Sequence, residues 1–454
     1  MSFLKHVRGD GLKARSIRGT GFVGLSFVAQ NALRLGGNLV LTRILFPEAF
    51  GLMALVQIVI TGLTMFSDMG IRVSIIKDAR GEDPVYLDTA WTLQILRGAL
   101  LWAITWALAL PVAAFYEEPV LAQMLPVAGL TALIQGFNST KMATQNRAMA
   151  LGRMTAVFIG TQAAGLAVTI ALALWMGSVW ALVWGGLAGP LLLALLTHLV
   201  LPGHPNRMRL EGAAARNILG FGTFIFLSSA ATFITMNADR AILGKFVSLE
   251  ELALYNIGFF LATVPMLLLK RLVDGVLFPL YTARPPKDDP ANLRKIGRSR
   301  SAIILFALVS SICLGAIGVP VITFLYDPRY EAAGPLMVLI AIAQLPEILT
   351  THYGTAIMAS GTGRRLATFL ILVAVTKTLA MLWGAMQFGV VGVILAPAVA
   401  MVLLYPVAIA MVRPYRVWLP GHDAAFLLLS ATGSVGVLWL NWGHVLPLLQ
   451  RLVL

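Results

Sequence analysis

Apolar runs of about twenty residues recur along almost the whole chain, and they constrain what it can fold into more than any other feature. A helix of that length crosses the hydrocarbon of a bilayer. Inside lipid every backbone N–H and C=O must be satisfied within the chain, which leaves helices or closed barrels. The runs are too long for barrel strands, so the expectation is an all-α polytopic membrane protein. Spans are expected near 19–45, 49–70, 89–115, 119–139, 154–176, 179–201, 217–243, 252–281, 301–326, 332–360, 366–387, 389–412 and 423–441. The stretch from Trp442 to Leu454 is apolar but short. It reads either as a fourteenth helix or as an interfacial one. Composition agrees: charged residues make up 12% of the 454 residues, half the roughly 25% that a water-facing surface requires.

Lys and Arg sit on alternate connections. One set carries Arg72, Lys77 and Arg80, then Lys141, Arg147 and Arg153, then Arg207, Arg209 and Arg216, then six bases from Arg284 to Arg300. The other set carries Arg43, Lys245 and Arg329. Basic loops stay on the cytoplasmic side, so a cytoplasmic N-terminus and a cell inner membrane location are expected. The basic segment Met1–Arg18 lacks a cleavage pattern, and the first span is expected to remain as an anchor. The net charge of +14 is thereby a topology signal, and nucleic acid is not needed as a partner. The lone Cys313 and six scattered histidines suggest neither disulfide nor metal, and no cofactor is expected.

The chain also repeats itself. Residues Leu41 to Leu52 align with Leu243 to Leu254 at an offset of 202, and Gly177–Ala188 is echoed more weakly by Gly389–Ala400. Six spans on either side of a polar stretch give parallel repeats, and transporters built that way place substrate between their halves. The expected domains are a six-helix lobe at 1–201, a cytoplasmic linker at 202–216, a second lobe at 217–413 and accessory helices at 414–454.

Charge at mid-bilayer costs roughly 2.5–3.5 kcal/mol on insertion scales and marks function or pairing. The first span carries Ser26, Gln30, Arg34, Asn38 and Thr42 at four-residue spacing, with Asn31 beside them. The seventh carries Ser228, Thr232, Thr235 and Asp239 on one face, followed by Arg240. Such stripes line a polar cleft or bond helix to helix. Arg34, Arg97 and Lys377 are the candidates for holding an anionic ligand, the alternative being pairing with Glu347, Asp239 or helix C-termini. Lys270 and Asp274 are four apart and suggest a neutralising pair, and Arg271 suits snorkelling. Embedded bases outnumber the embedded acids Asp239, Asp274 and Glu347, which suits phosphate recognition by guanidinium and ammonium groups. Asp68, Asp239 and Glu347 are candidate ion-coupling groups.

Leu41-Thr42-Arg43-Ile44-Leu45-Phe46-Pro47-Glu48, followed by Phe66-Ser67-Asp68-Met69-Gly70, resembles the start of the Wzx-type polysaccharide transporter family of the MOP superfamily. Asn237-Ala238-Asp239, Leu277-Phe278-Pro279 and Phe388-Gly389-Val390 also fit, and the resemblance covers roughly 15–412. It implies two six-helix lobes in a V. It further implies flipping of undecaprenyl-diphosphate-linked repeat units for lipopolysaccharide or exopolysaccharide synthesis, beside a polymerase and a chain-length co-polymerase. No catalytic residues transfer, since transport makes no covalent change. A cation-coupled drug exporter, a peptidoglycan-precursor flippase and a membrane glycosyl polymerase are the competing readings. The last would need a large outer loop.

Overall fold

The computed structural model describes residues 12–67, 70–361 and 363–450, with the side chains of 12–23, 221–228, 231 and 290 outside the description. The elements are helical throughout the described residues. They run α1 Leu12–Ile44, α2 Pro47–Phe66, α3 Ile71–Lys77, α4 Pro84–Tyr116, α5 Leu121–Gly136, α6 Lys141–Arg147, α7 Leu151–Met176, α8 Trp180–Leu199 and α9 Gly212–Phe246. There follow α10 Leu249–Ala262, α11 Val264–Leu272, a π-turn at Val273–Leu277, α12 Phe278–Ala283, α13 Pro290–Ala316, α14 Gly318–Leu325, α15 Ala333–Ala343 and α16 Leu345–Ala359. The chain continues with α17 Gly363–Val412, α18 Pro420–Leu440 and α19 Trp442–Gln450.

Over the described residues, each of the thirteen expected spans falls on one helix or on consecutive helices. By length and composition alone, seven of the described helices can cross a membrane, or nine if each of two bent pairs is one span. The bends follow prolines: α10 meets α11 at 41° beside Pro265, and α15 meets α16 at 46° beside Pro346. α17 holds two expected spans, joined at Gly389 with φ 53 and ψ −135. That left-handed conformation is open to glycine at little cost. Gly177, its partner in the weaker repeat, has φ 56 and ends α7. The stronger repeat shows in the helix ends as well. α1 and α9 end at Ile44 and Phe246, and α2 and α10 begin at Pro47 and Leu249, each pair 202 residues apart. α19 has nine described residues, about 14 Å of helix, too short to cross a bilayer.

Contacts divide the chain into Met1–Ala230 and Ala231–Leu454, a boundary inside α9. In the first unit, α4 packs along α5 so closely that a Cβ on Gly98 would lie 2.7 Å from the carbonyl oxygen of Ala132. In the second, a buried apolar cluster runs from Leu269 and Leu277 through Ile304 and Leu308 to Ile348 and Phe426.

The stretch expected as a linker is pinned to the first unit. Asp88 accepts from His204 Nε2 and from the Arg207 N–H, both at 2.9 Å. The N–H groups of Arg209 and Glu211 donate to Thr92 and Thr89 at 3.0 Å. Alternate amides of an extended segment thus reach one face of α4. Arg80 adds an ion pair to Glu211 at 2.7 Å and one to Asp83 at 2.6 Å. These contacts raise the Arg80 pKa, and Arg80 holds the Asp83 carboxyl below its usual range.

Candidate functional site

The first unit contains a cavity of about 200 Å³ between α2, α3, α4, α5 and the turn into α6. Arg72, Gln94, Arg97, Gln135 and Asn138 line it. Its walls follow from helix ends. The last carbonyls of a helix lack intrahelical donors and carry partial negative charge. Arg97 donates from Nε to Ser67 Oγ at 3.0 Å and from a terminal nitrogen to the Thr64 carbonyl at 2.6 Å, where α2 ends. Gln94 does the same for α5, donating to the carbonyls of Gln135, Gly136 and Asn138 at 3.0–3.1 Å. Arg72 is exposed and has no hydrogen-bond or ion-pair partner among the described residues. The Asn138 Oδ1 is buried and lacks a donor.

Other predicted groups of this unit serve their own helix first. Gln30 donates to Ser26 at 2.6 Å and Asn31 to the Phe27 carbonyl at 2.8 Å. Gln162 on α7 donates to the Gln30 carbonyl at 3.0 Å. Arg34 is exposed and Asn38 half-buried, both with interactions of their own. Asp68 lies outside the described residues.

In the second unit Lys377 is 4% exposed and its Nζ lies 2.7 Å from Glu347 Oε2. The pairing alternative is therefore the one realised. Lys270 acts electrostatically on the same carboxylate. It forms no ion pair with Asp274, contrary to the four-residue spacing, because the π-turn at Val273–Leu277 lengthens the turn and breaks that register. Asp239 is 5% exposed. Its Oδ2 accepts from the Tyr255 hydroxyl at 2.5 Å, and its Oδ1 has no partner among the described residues. Arg240 donates to Asn256 Oδ1 at 2.7 Å and stacks 4.5 Å above the Phe259 ring. Arg271 and Thr232 are exposed and Thr235 half-buried, each with interactions.

One cluster escaped sequence reasoning. Arg300, counted above with the loop bases, is 1% exposed and pairs with Asp423, itself 1% exposed. Asp423 also accepts from the Tyr353 hydroxyl and, at 2.8 Å, from Tyr405. Arg300 donates to the Val417 carbonyl at 3.2 Å. The network ties α18 to α13, α16 and α17, so this helix is integral to the unit rather than accessory. The only sequence hint was an acid and a base at the same end of two apolar runs.

A family model described as "Polysaccharide biosynthesis protein" matches residues 40–335. The teichuronic acid biosynthesis protein TuaB of Bacillus subtilis (strain 168) is 24% identical over 147 residues, 32% of this chain and 30% of its own length. The succinoglycan biosynthesis transport protein ExoT of Rhizobium meliloti (strain 1021) is 23% identical over 383 residues, 82% of this chain and 73% of its own. The chain spans 30% and 64% of the length of the first two curated relatives it matches. Among solved structures, the lipid II flippase MurJ in an inward closed conformation superposes with TM-score 0.70 at 11% identity, covering 95% of this chain and 97% of that one. An inward-facing multidrug resistance MATE family transporter of the MOP superfamily gives 0.63 at 12%, covering 91% and 95%. At these identities the likeness is one of fold: an all-helical, multi-pass membrane protein of the MOP type.

Proposed function

This chain belongs to the polysaccharide biosynthesis protein family, and from that premise we propose that it is a flippase for lipid-linked oligosaccharides. It moves undecaprenyl-diphosphate-linked repeat units from the cytoplasmic to the outer leaflet of the inner membrane by alternating access. The observation that carries the reading is the family match joined to a transporter fold along 95% of the chain. Uncompensated basic groups such as Arg72 support an anionic substrate, because guanidinium groups match phosphoryl oxygens in bidentate geometry. A sugar chain and a diphosphate cannot cross hydrocarbon unaided, whereas the polyprenyl tail stays in lipid.

In this reading Arg97, with Arg34 and Lys377, meets the diphosphate. Gln30, Asn31, Asn38, Thr232, Thr235, Arg240, Lys270 and Arg271 form the remaining polar contacts. Lys377 takes part only if the substrate displaces Glu347. Asp68, Asp239 and Glu347 are the proposed coupling groups. The Asp239 carboxyl, buried with one oxygen unsatisfied among the described residues, suits that role. The N-terminus faces the cytoplasm, the two lobes divide near 202–216, and a polymerase and chain-length co-polymerase act on the product. No covalent step is assigned to the chain.

The test is deletion of the gene in its host, with assay of surface polysaccharide and of lipid-linked intermediates. Loss of polymer with accumulation of complete, cytoplasm-facing repeat units is expected, reversed by the wild-type gene. Intact polymer with changed drug sensitivity would overturn the reading and favour an exporter.

A further inference from the structure

Three helix connections meet at one end of the second unit, and all of them are basic. Arg284 follows directly on α12, with Lys287 in the loop beyond it, and Arg294, Lys295 and Arg298 lie on the first turns of α13. Arg364 opens α17, and Arg413 and Arg416 follow its end. Contacts hold the connections together. Asn292 donates to the Pro285 carbonyl at 3.4 Å. Arg300 donates to the Val417 carbonyl at 3.2 Å, and a Cβ on Gly297 would lie 3.1 Å from Leu419 Cδ1. Arg365 donates to the Tyr415 hydroxyl at 3.2 Å, its guanidinium 5.5 Å from the ring centre. We infer that this face is a docking surface for the headgroups of anionic phospholipids. The inference goes beyond the flippase reading and does not depend on it.

The charge is uncompensated. The eight bases from Arg284 to Arg416 other than Arg300 and Arg365 are exposed where they lie on these connections, and their side chains have no hydrogen-bond or ion-pair partner among the described residues. The exposed acids of the same connections are Asp288 and Asp289. Asp289 already accepts from the Ala291 N–H at 2.8 Å, and the buried Asp423 is taken by Arg300. The corresponding end of the first unit is built otherwise. There Arg80 is held by Asp83 and Glu211, Glu82 lies 3.7 Å from Arg147, and Asp78 accepts from Asn217 at 2.6 Å. Acidic residues weigh little in the rule that keeps basic loops on the cytoplasmic side. Orienting the chain therefore calls for the bases but not for the scarcity of acids around them.

Depth selects the partner. The headgroup layer is about 5–7 Å thick on each side of the hydrocarbon. Arg364 is two residues from Leu366, and Arg413 follows Val412 directly, at the two ends of the apolar helix α17. Arg298 precedes Ala302, where the apolar run of α13 begins, by one turn, about 6 Å along the axis. The rings of Tyr415 and Trp418 lie on the same connection, and such rings favour the headgroup level. The cations thus stand at the height of lipid phosphates, whose oxygens suit guanidinium and ammonium donors, rather than on a projecting domain that a soluble protein would grip.

The experiment is native mass spectrometry of the full-length protein in detergent, titrated with dioleoyl phosphatidylglycerol and, separately, dioleoyl phosphatidylethanolamine. Phosphatidylglycerol is expected to bind at least tenfold more tightly. Each base near an anionic surface is worth about fivefold in binding, so Arg294→Gln/Lys295→Gln/Arg298→Gln should weaken phosphatidylglycerol at least tenfold and leave phosphatidylethanolamine unchanged. Arg413→Gln/Arg416→Gln should weaken it about fivefold or more. Arg207→Gln/Arg209→Gln removes two exposed bases of the first unit and should change it less than twofold. Equal binding of the two lipids would overturn the inference. So would an equal loss in the first-unit variant, which would make the preference one of net charge alone. Polyglutamate at matched charge should not displace the lipid; if it does, the face takes an acidic polypeptide and the inference falls. Farnesyl diphosphate displacing phosphatidylglycerol at a tenth of its concentration would assign the face to a lipid diphosphate and overturn it as well.

Discussion

Asp423→Asn tests the buried network of the second unit. The substitution keeps shape and removes charge, leaving Arg300 at 1% exposure with the Val417 carbonyl as a neutral partner. Breaking one half of a buried pair costs about 3–5 kcal/mol. Arg300→Met strands the carboxylate and should cost about as much, eased by the two tyrosine donors. The double variant Arg300→Met/Asp423→Leu removes both charges and fills the space with apolar atoms. What remains is the Tyr353 hydroxyl, fully buried and now without an acceptor, about 1–3 kcal/mol. Tyr405 is half-buried and should find other partners. Additive singles would give about 6–10 kcal/mol, so the expected coupling is about 5 kcal/mol. Denaturant unfolding of the purified protein in micelles, followed by tryptophan fluorescence, supplies the four corners of the cycle. Adding Tyr353→Phe should restore most of the residual loss. A double variant as unstable as the sum of its parts would refute the reasoning.

The second ion pair should be asymmetric. Glu347→Gln leaves Lys377 buried and alone, at about 3–5 kcal/mol, whereas Lys377→Met leaves Glu347 with the influence of Lys270 and should cost about half as much in the same assay. Gly392→Ala would place a Cβ 2.0 Å from the Gly384 carbonyl oxygen, forcing the two halves of α17 apart. About 1–3 kcal/mol and a lower thermal midpoint are expected, while Gly436→Ala, with open space around it, should behave as wild type. Asp88→Ala should release the strap at 204–211. Hydrogen exchange at the Arg207 amide should accelerate at least tenfold while the interior of α7 keeps its protection, and unchanged exchange would show that Thr89 and Thr92 suffice.

Much of the fold was legible before any coordinate. Transfer of an apolar run into lipid depends on the residues of that run alone, so the apolar helices and their order could be read locally. Proline and glycine likewise act on their own backbone, and Pro265, Pro346 and Gly389 mark the bends. The repeat at Phe46-Pro47 and Ser248-Leu249 set helix ends 202 residues apart. What tertiary structure decided were partnerships between distant residues. Arg300 looked like a loop base because its acid is 123 positions away. Lys270 and Asp274 looked paired because the spacing assumed an unbroken α-helix, and the π-turn removed that assumption. The stretch 202–216 reads as a linker because the backbone amides of Arg207, Arg209 and Glu211 find their acceptors on α4, more than a hundred positions earlier. The cavity too is a product of packing. Its lining comes from α2, α3, α4, α5 and the turn into α6, whose neighbourhood no local pattern in the sequence shows.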